Sequence, residues 1–229
     1  MTAVRILAPM AAAVLAALSL QCAASPFSVQ LGPERVILDT PPGFSDSVDL
    51  SSPRLQDLAA SLTSASNRVL MFALDDADMR RFMNGDRIEM QRYLLAVSPK
   101  GSERERASTE QFARVVSDSL RDLGKPVVTT DYIKYMETLQ EGRTSLLVEL
   151  IREPAVASVL QATRLPSLRS KAWEAPTPQY LFFSTTLLLV RGKTLRLGIY
   201  SLYSGPHDID WIKDTTQRWT EQLLRLNSR

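Results

Sequence analysis

The chain has 229 residues, of which 45% are hydrophobic and 23% are charged, and its formal net charge is +2. This length can bury a self-sufficient apolar core. The near-neutral charge excludes nucleic acid as the main partner, because phosphate binding needs a concentrated positive field. One cysteine and one histidine exclude both an intrachain disulfide framework and a zinc site built from several histidines.

The first 24 residues have the layout of a secretory signal peptide. Arg5 precedes an apolar run from Ile6 to Leu20, and this run of about 15 residues is shorter than a membrane-spanning helix. Cys22 and Ala24 supply the small side chains that signal peptidase needs. We therefore predict cleavage after Ala24, a cysteine-free mature chain of residues 25–229, and location in the bacterial periplasm.

Two alternatives would instead attach the protein to a membrane. A cut just before Cys22 would allow lipid attachment there, although Gln21 and Ser19 depart from the usual lipoprotein signal. An uncleaved apolar run would act as an N-terminal anchor. We expect the partner to be an unidentified protein or a small ligand. Contact with a membrane is expected only in these two cases. No cofactor or metal is expected.

The first half of the mature chain predicts short strands and helices. Their order is a strand Arg35–Thr40, a helix opening at Ser52-Pro53, a strand Arg68–Leu74, a helix Ala77–Met83 and a strand Ile88–Ser98. Ser108 and Gln111 then form a capping-box pattern, and Gly124 stands where a helix ends. These signals predict a third helix between residues 108 and 124.

The middle of the chain, residues 131–163, is rich in apolar side chains and is interrupted by Gly142 and Pro154. We predict two or three short helical pieces here, forming a helical insertion in a single domain of residues 25–229. A loop is predicted from Arg164 to Pro178, where several prolines cluster.

The C-terminal part predicts a long β-hairpin, Gln179–Val190 and Thr194–Tyr203, followed by a helix from Asp208 to Asn227. The first strand is apolar enough to be central and covered on both faces. Along the second strand, one face carries Leu195, Leu197 and Ile199, and the opposite face carries Arg196, Gly198 and Tyr200. Together these elements predict an α+β fold, with an antiparallel sheet and its long C-terminal hairpin packed against amphipathic helices.

Two segments carry a family resemblance: the turn Pro42-Gly43-Phe44 after a short strand, and the hairpin and closing helix between Gly192 and Leu226. They resemble the PsbP-like fold of photosystem accessory proteins and of assorted bacterial exported proteins, including uncharacterised ones. The resemblance implies a non-catalytic accessory or binding role, and it transfers no site residue.

His207 is the one side chain that suits a general base, so it is the centre of the enzymatic alternative. In that alternative, the chain is a hydrolase whose site assembles from distant residues around His207. No Gly-x-Ser-x-Gly motif presents a nucleophile. We therefore predict no catalytic residue and interpret His207 as part of the first turn of the last helix.

Three further groups have a chemical and a structural interpretation. Asp75, Asp76 and Asp78 could bind a cation, but their position before a helix favours capping. A basic surface could gather the following residues, although scattered solvated charge is favoured: Arg80, Arg81, Arg164, Arg169 and Lys171. An aromatic groove could be lined by three side chains that are more simply a hydrophobic cap over the sheet: Trp173, Tyr180 and Phe182.

Overall fold

The computed structural model describes residues 25–168 and 177–228, and this part of the chain contains nine strands and five α-helices. In chain order they are β1 Phe27–Leu31, β2 Glu34–Leu38, β3 Phe44–Asp46, α1 Pro53–Ser61, β4 Asn67–Asp75, α2 Asp76–Met83, β5 Arg92–Pro99, α3 Thr109–Leu123, α4 Tyr132–Glu137, β6 Thr144–Glu153, β7 Val156–Leu168, β8 Thr177–Val190, β9 Lys193–Leu202 and α5 His207–Asn227. Seven of these strands form one antiparallel sheet in the order β3-β4-β5-β9-β8-β7-β6, and β1 pairs with β2. The α+β class with an antiparallel sheet is confirmed.

The predicted C-terminal hairpin is confirmed and forms the centre of the sheet. Strand β8 pairs with β9 on one side and with β7 on the other. Arg191 and Gly192 both have positive φ angles, 50° and 72°, as a two-residue type I′ turn requires. The hairpin therefore supplies two interior strands of the seven-stranded sheet.

The two faces of the sheet are covered differently. On one face, α5, α4 and the β1–β2 hairpin contribute to a continuous core that includes Ile212, Trp219 and Leu223 of α5. On the other face, α1 contacts β4 and β5 in one cluster, and α3 contacts β7 and β8 in a second. The second face is thus covered in two separate patches, with a gap between α1 and α3.

The predicted helix ends are confirmed in α3 and α1, with one difference. The Ser108 hydroxyl accepts from the Gln111 backbone at 3.2 Å, and the Gln111 side chain accepts from the Ser108 backbone at 2.8 Å. Helix α1 begins at Pro53 as predicted, but the Ser52 side chain forms no cap hydrogen bond. The capping box therefore holds the start of α3 through side chains, whereas α1 depends on proline and on packing.

The prediction of helices across residues 131–163 is wrong for most of that segment. Only α4 is helical, and residues 144–153 and 156–168 are strands β6 and β7. Pro154 lies in the turn between them. Short apolar runs fit a buried strand as well as a buried helix, and the pairing of β7 with both neighbours decides for the strand. The predicted loop 164–178 is likewise strand up to Leu168 and again from Thr177, and residues 169–176 lie outside the described part.

The strand predicted from Ile88 begins later, at Arg92. The Asp78 carboxylate accepts the backbone N–H groups of Glu89 and Met90, and Met90 has a φ angle of 54°. These contacts hold residues 89–90 outside the strand. Strands β1 and β3 were not predicted, and the final helix begins at His207, one residue earlier than predicted.

Candidate functional site

The gap between α1 and α3 is a groove of about 620 Å³ whose floor is the sheet. The floor contains three rows of cross-strand neighbours: Val97–Arg196–Leu187–Ala157, Leu95–Gly198–Thr185–Val159 and Tyr93–Tyr200–Phe183–Gln161. The walls come from the C-terminal half of α3 and from the segment after α1, including Leu62, Val116, Ser119 and Leu120. This volume lies within the range of small-molecule pockets, roughly 300 to 1,000 Å³.

An aromatic stack closes one end of the floor. Tyr93 and Tyr200 are parallel, with ring centroids 4.5 Å apart and an interplanar angle of 6°, and Phe183 stacks on Tyr200 at 5.4 Å. The Tyr200 ring leans over Gly198, since a Cβ added to Gly198 would come within 2.8 Å of the Tyr200 hydroxyl oxygen. The missing side chain of Gly198 therefore allows the Tyr200 hydroxyl to extend over the groove floor.

Arg196 is the one cationic side chain among the described residues that line the groove. It is exposed, and it forms no hydrogen bond or ion pair with any residue of the described ranges. Its cross-strand neighbours Val97 and Leu187 are apolar. Burial raises the pKa of the Tyr200 phenol, and the positive charge of Arg196, which lies on the same face of β9, partly offsets that rise.

Gln161 brings an uncharged polar group to the same groove. The residue is only 4% exposed overall, and its carboxamide, which lines the groove, has no hydrogen-bond partner within residues 25–168 and 177–228. Gln161 therefore offers a carboxamide that can donate to, and accept from, a polar group in the groove.

The side chains that line the groove are suited to binding a small molecule. Arg196, Tyr200, Gln161 and Thr185 can donate hydrogen bonds, and aliphatic side chains surround them. Among the described lining residues, Asp122 is the one carboxylate, and no hydroxyl is paired there with a histidine. The arrangement can orient a molecule that has one polar end and an apolar body.

The structure places His207 away from this groove, at the exposed start of α5. Its imidazole makes no hydrogen bond to a hydroxyl or a carboxylate of the described part of the chain. The neighbouring Asp208 carboxylate instead accepts from Arg92 and Ser204. The triad that the hydrolase alternative requires is therefore not assembled, and the prediction that His207 lies in the first turn of α5 is confirmed.

The acidic cluster caps α2, as predicted. The Asp75 carboxylate accepts from the Asp78 backbone at 2.8 Å, and Asp76 accepts from the Ser45 hydroxyl at 3.0 Å. Asp78 is fully buried and binds Arg81 at 3.0 Å. No group of three or more His, Cys, Asp or Glu is arranged to hold a metal ion within the described ranges.

The predicted basic and aromatic groups do not form the site. Arg81 binds Asp78 and Glu89, and Arg164 donates to two backbone carbonyls. Tyr180 and Phe182 are buried in the core beneath α5, which confirms the hydrophobic interpretation for both. The predictions for Arg169, Lys171 and Trp173 concern residues outside the described part.

The sequence did not predict the groove, but it did predict that three of its residues lie on one face of a strand. Arg196, Gly198 and Tyr200 were predicted to share one face of the last strand, and the structure confirms this. An arginine and a glycine in an apolar, central strand are unusual enough to mark a site. Gln161 was not predicted to lie on this face, because residues 131–163 were predicted to be helical.

The N-terminal predictions concern residues 1–24, including Cys22, and these residues lie outside the described part of the chain. Within the described part, none of the helices is both long enough and apolar enough to cross a bilayer.

Comparisons with known proteins show no family for this chain. Neither a family model nor a curated protein matches this sequence. Among solved structures, the Saccharomyces cerevisiae Ran-binding protein Mog1p aligns over 90% of this chain and 94% of its own, with 12% identity and a TM-score of 0.36. A Mog1 mutant aligns over the same shares at 13% identity, also with a TM-score of 0.36. Similarity at this level carries no argument about the fold or the function of this chain.

Proposed function

We propose that this chain is an exported, non-catalytic binding protein of the bacterial periplasm that holds a small amphipathic molecule in the groove between α1 and α3. The lining of the groove carries the proposal, because it combines apolar side chains with a few polar groups, Arg196 and Gln161, that make no hydrogen bond to the described residues. The apolar walls and the volume of about 620 Å³ support a ligand rather than a few water molecules. The PsbP-like resemblance, which stays a prediction, agrees with a non-catalytic role.

Filling the groove from α3 should weaken the binding of a neutral apolar probe. Ser119 lines the groove, so Ser119→Trp places an indole in the space that a ligand would occupy. Wild-type protein should bind the uncharged dye N-phenyl-1-naphthylamine with increased fluorescence, and Ser119→Trp should weaken that binding by at least about tenfold, since the indole competes for buried apolar contact.

Ser117→Trp is the matched control for this experiment. Ser117 lies on the same helix, is exposed and does not line the groove, so its replacement adds the same indole elsewhere. Both variants should show wild-type circular dichroism. Equal dye affinity in the two variants would contradict a binding site in the groove.

Export has its own test at the N-terminus. In a bacterial host, intact-protein mass spectrometry of the periplasmic fraction should find a chain that begins at Ser25, because Ala24 precedes the predicted cut. A full-length chain that starts at Met1 in the cytosolic fraction would contradict export. A chain with lipid on Cys22 would replace the soluble proposal with the membrane-anchored alternative.

A further inference from the structure

We propose that the ligand is an amphipathic carboxylate, whose head group binds the Arg196 guanidinium and the Tyr200 hydroxyl while its apolar body lies between the sheet and α3. This inference rests on the proposed function and adds the charge and the orientation of the ligand.

The charge follows from the surroundings of Arg196. Some arginines of the described chain have acceptors, as when Arg92 binds Asp208 at 2.6 Å and Arg106 binds Glu34 at 3.0 Å. Others, such as Arg35, are exposed away from the groove. Arg196 has no acceptor, although it stands in a row of apolar side chains on a central strand. Asp122, the acidic residue of the described lining, does not reach it. A guanidinium fork in this setting is complementary to a carboxylate, which it can bind through two parallel hydrogen bonds.

The second donor follows from Gly198 and Tyr200. Arg196 and Gly198 are successive residues on the groove face of β9, and the Tyr200 hydroxyl extends over Gly198 toward Arg196. That hydroxyl forms no hydrogen bond with the described residues. Because burial raises the pKa of Tyr200, the phenol keeps its proton at neutral pH and can donate it to an anion. One head group can therefore be reached by two donors from adjacent positions.

The other residues that line the groove indicate that the rest of the ligand is apolar. Leu95, Val97 and Leu187 provide an apolar floor beside the two donors, and Val116 and Leu120 of α3 face them. Contact with these side chains would remove aliphatic surface of the ligand from water. Gln161 and Thr185 lie farther along the floor and can accept or donate to a second polar atom.

The test compares dodecanoate with dodecanol, which differ only in the head group. Each is used to displace N-phenyl-1-naphthylamine from wild-type protein at neutral pH. Dodecanoate should bind about tenfold more tightly than dodecanol, because a hydrogen-bonded charge pair adds to the same apolar contact. Arg196→Gln should remove this preference and leave dodecanol affinity unchanged. Tyr200→Phe, which keeps the aromatic stack, should weaken dodecanoate by several-fold only.

Arg35→Gln is the matched control, since Arg35 is exposed on the β1–β2 hairpin, which packs on the opposite face, and forms no ion pair with a described residue. It should retain the preference for dodecanoate. If Arg196→Gln binds dodecanoate as tightly as wild type, the carboxylate proposal is overturned, while dye binding that Ser119→Trp blocks still supports the groove. Failure of the dye, dodecanoate and dodecanol to bind would overturn the groove and the carboxylate together.

Discussion

Asp208→Asn should lower the free energy of unfolding at pH 7 by about 3 kcal/mol, because it removes the charge of a buried carboxylate that is paired with the half-buried Arg92. The Asp208 carboxylate is 2% exposed and accepts from Arg92 at 2.6 Å and from the Ser204 and Gly205 backbones at 2.8 and 3.0 Å. These bonds tie β5, the turn before α5 and the start of α5 together. Urea unfolding followed by circular dichroism measures the loss.

The same substitution should change the response to acid. Burial alone would raise the pKa of Asp208, but its hydrogen bonds from Arg92, Ser204 and Gly205 lower it to about 2. In an unfolded chain the pKa of aspartate is about 3.9. A folded-state pKa below the unfolded one stabilises the protein at pH values above the unfolded pKa. This contribution of about 3 kcal/mol is lost mostly as the pH falls from about 4 to about 2. The difference in stability between wild type and Asp208→Asn should therefore shrink over that interval.

Asp210→Asn provides the control for both measurements. Asp210 also lies in the first turn of α5, but its side chain is 77% exposed and lies 4.0 Å from Lys213. It should change stability by no more than about 0.5 kcal/mol, as expected for an exposed ion pair. A stability difference for Asp208→Asn that stays constant from pH 7 to pH 2.5 would show that the network is not the source of the effect.

Trp219→Ala should destabilise the fold by about 4 kcal/mol, the largest effect we expect from one substitution. Trp219 is 1% exposed, belongs to the core between α5 and the sheet, and donates its indole N–H to the Asp39 carbonyl at 2.7 Å. Truncation removes the ring contacts, leaves a cavity and deprives that carbonyl of its donor. Urea unfolding should be followed by circular dichroism, because the substitution also changes fluorescence.

Trp219→Phe separates the two parts of this effect. It keeps an aromatic ring in the core and removes the hydrogen bond to Asp39, so a loss of about 1 to 2 kcal/mol is expected. If Trp219→Ala were destabilised by less than 1 kcal/mol, the contact between α5 and the segment after β2 would not hold that face of the sheet closed.

Local sequence signals predicted the elements whose boundaries depend on a few neighbouring residues. The capping box of Ser108 and Gln111 and the start of α1 at Pro53 are examples, because the groups that form each helix end lie within one turn of each other. The Arg191-Gly192 turn and the apolar stripe of α5 are similarly local.

Residues 144–168 show where local reasoning failed. Their apolar content is compatible with helix or strand, and Pro154 interrupts either. The choice was made by β8, which pairs with β7 along most of its length and draws the segment into the sheet. Pairing between segments is a tertiary property that a single-sequence pattern does not contain.

The sequence by itself determined the α+β class, the C-terminal hairpin and the alternation that places Arg196, Gly198 and Tyr200 on one face. Only the tertiary structure decided that this face lies open between α1 and α3 and that Gln161 joins it from β7. The physical reason is that the alternation of a strand is set by its own backbone. A groove instead depends on cross-strand register and on the area that distant helices leave uncovered.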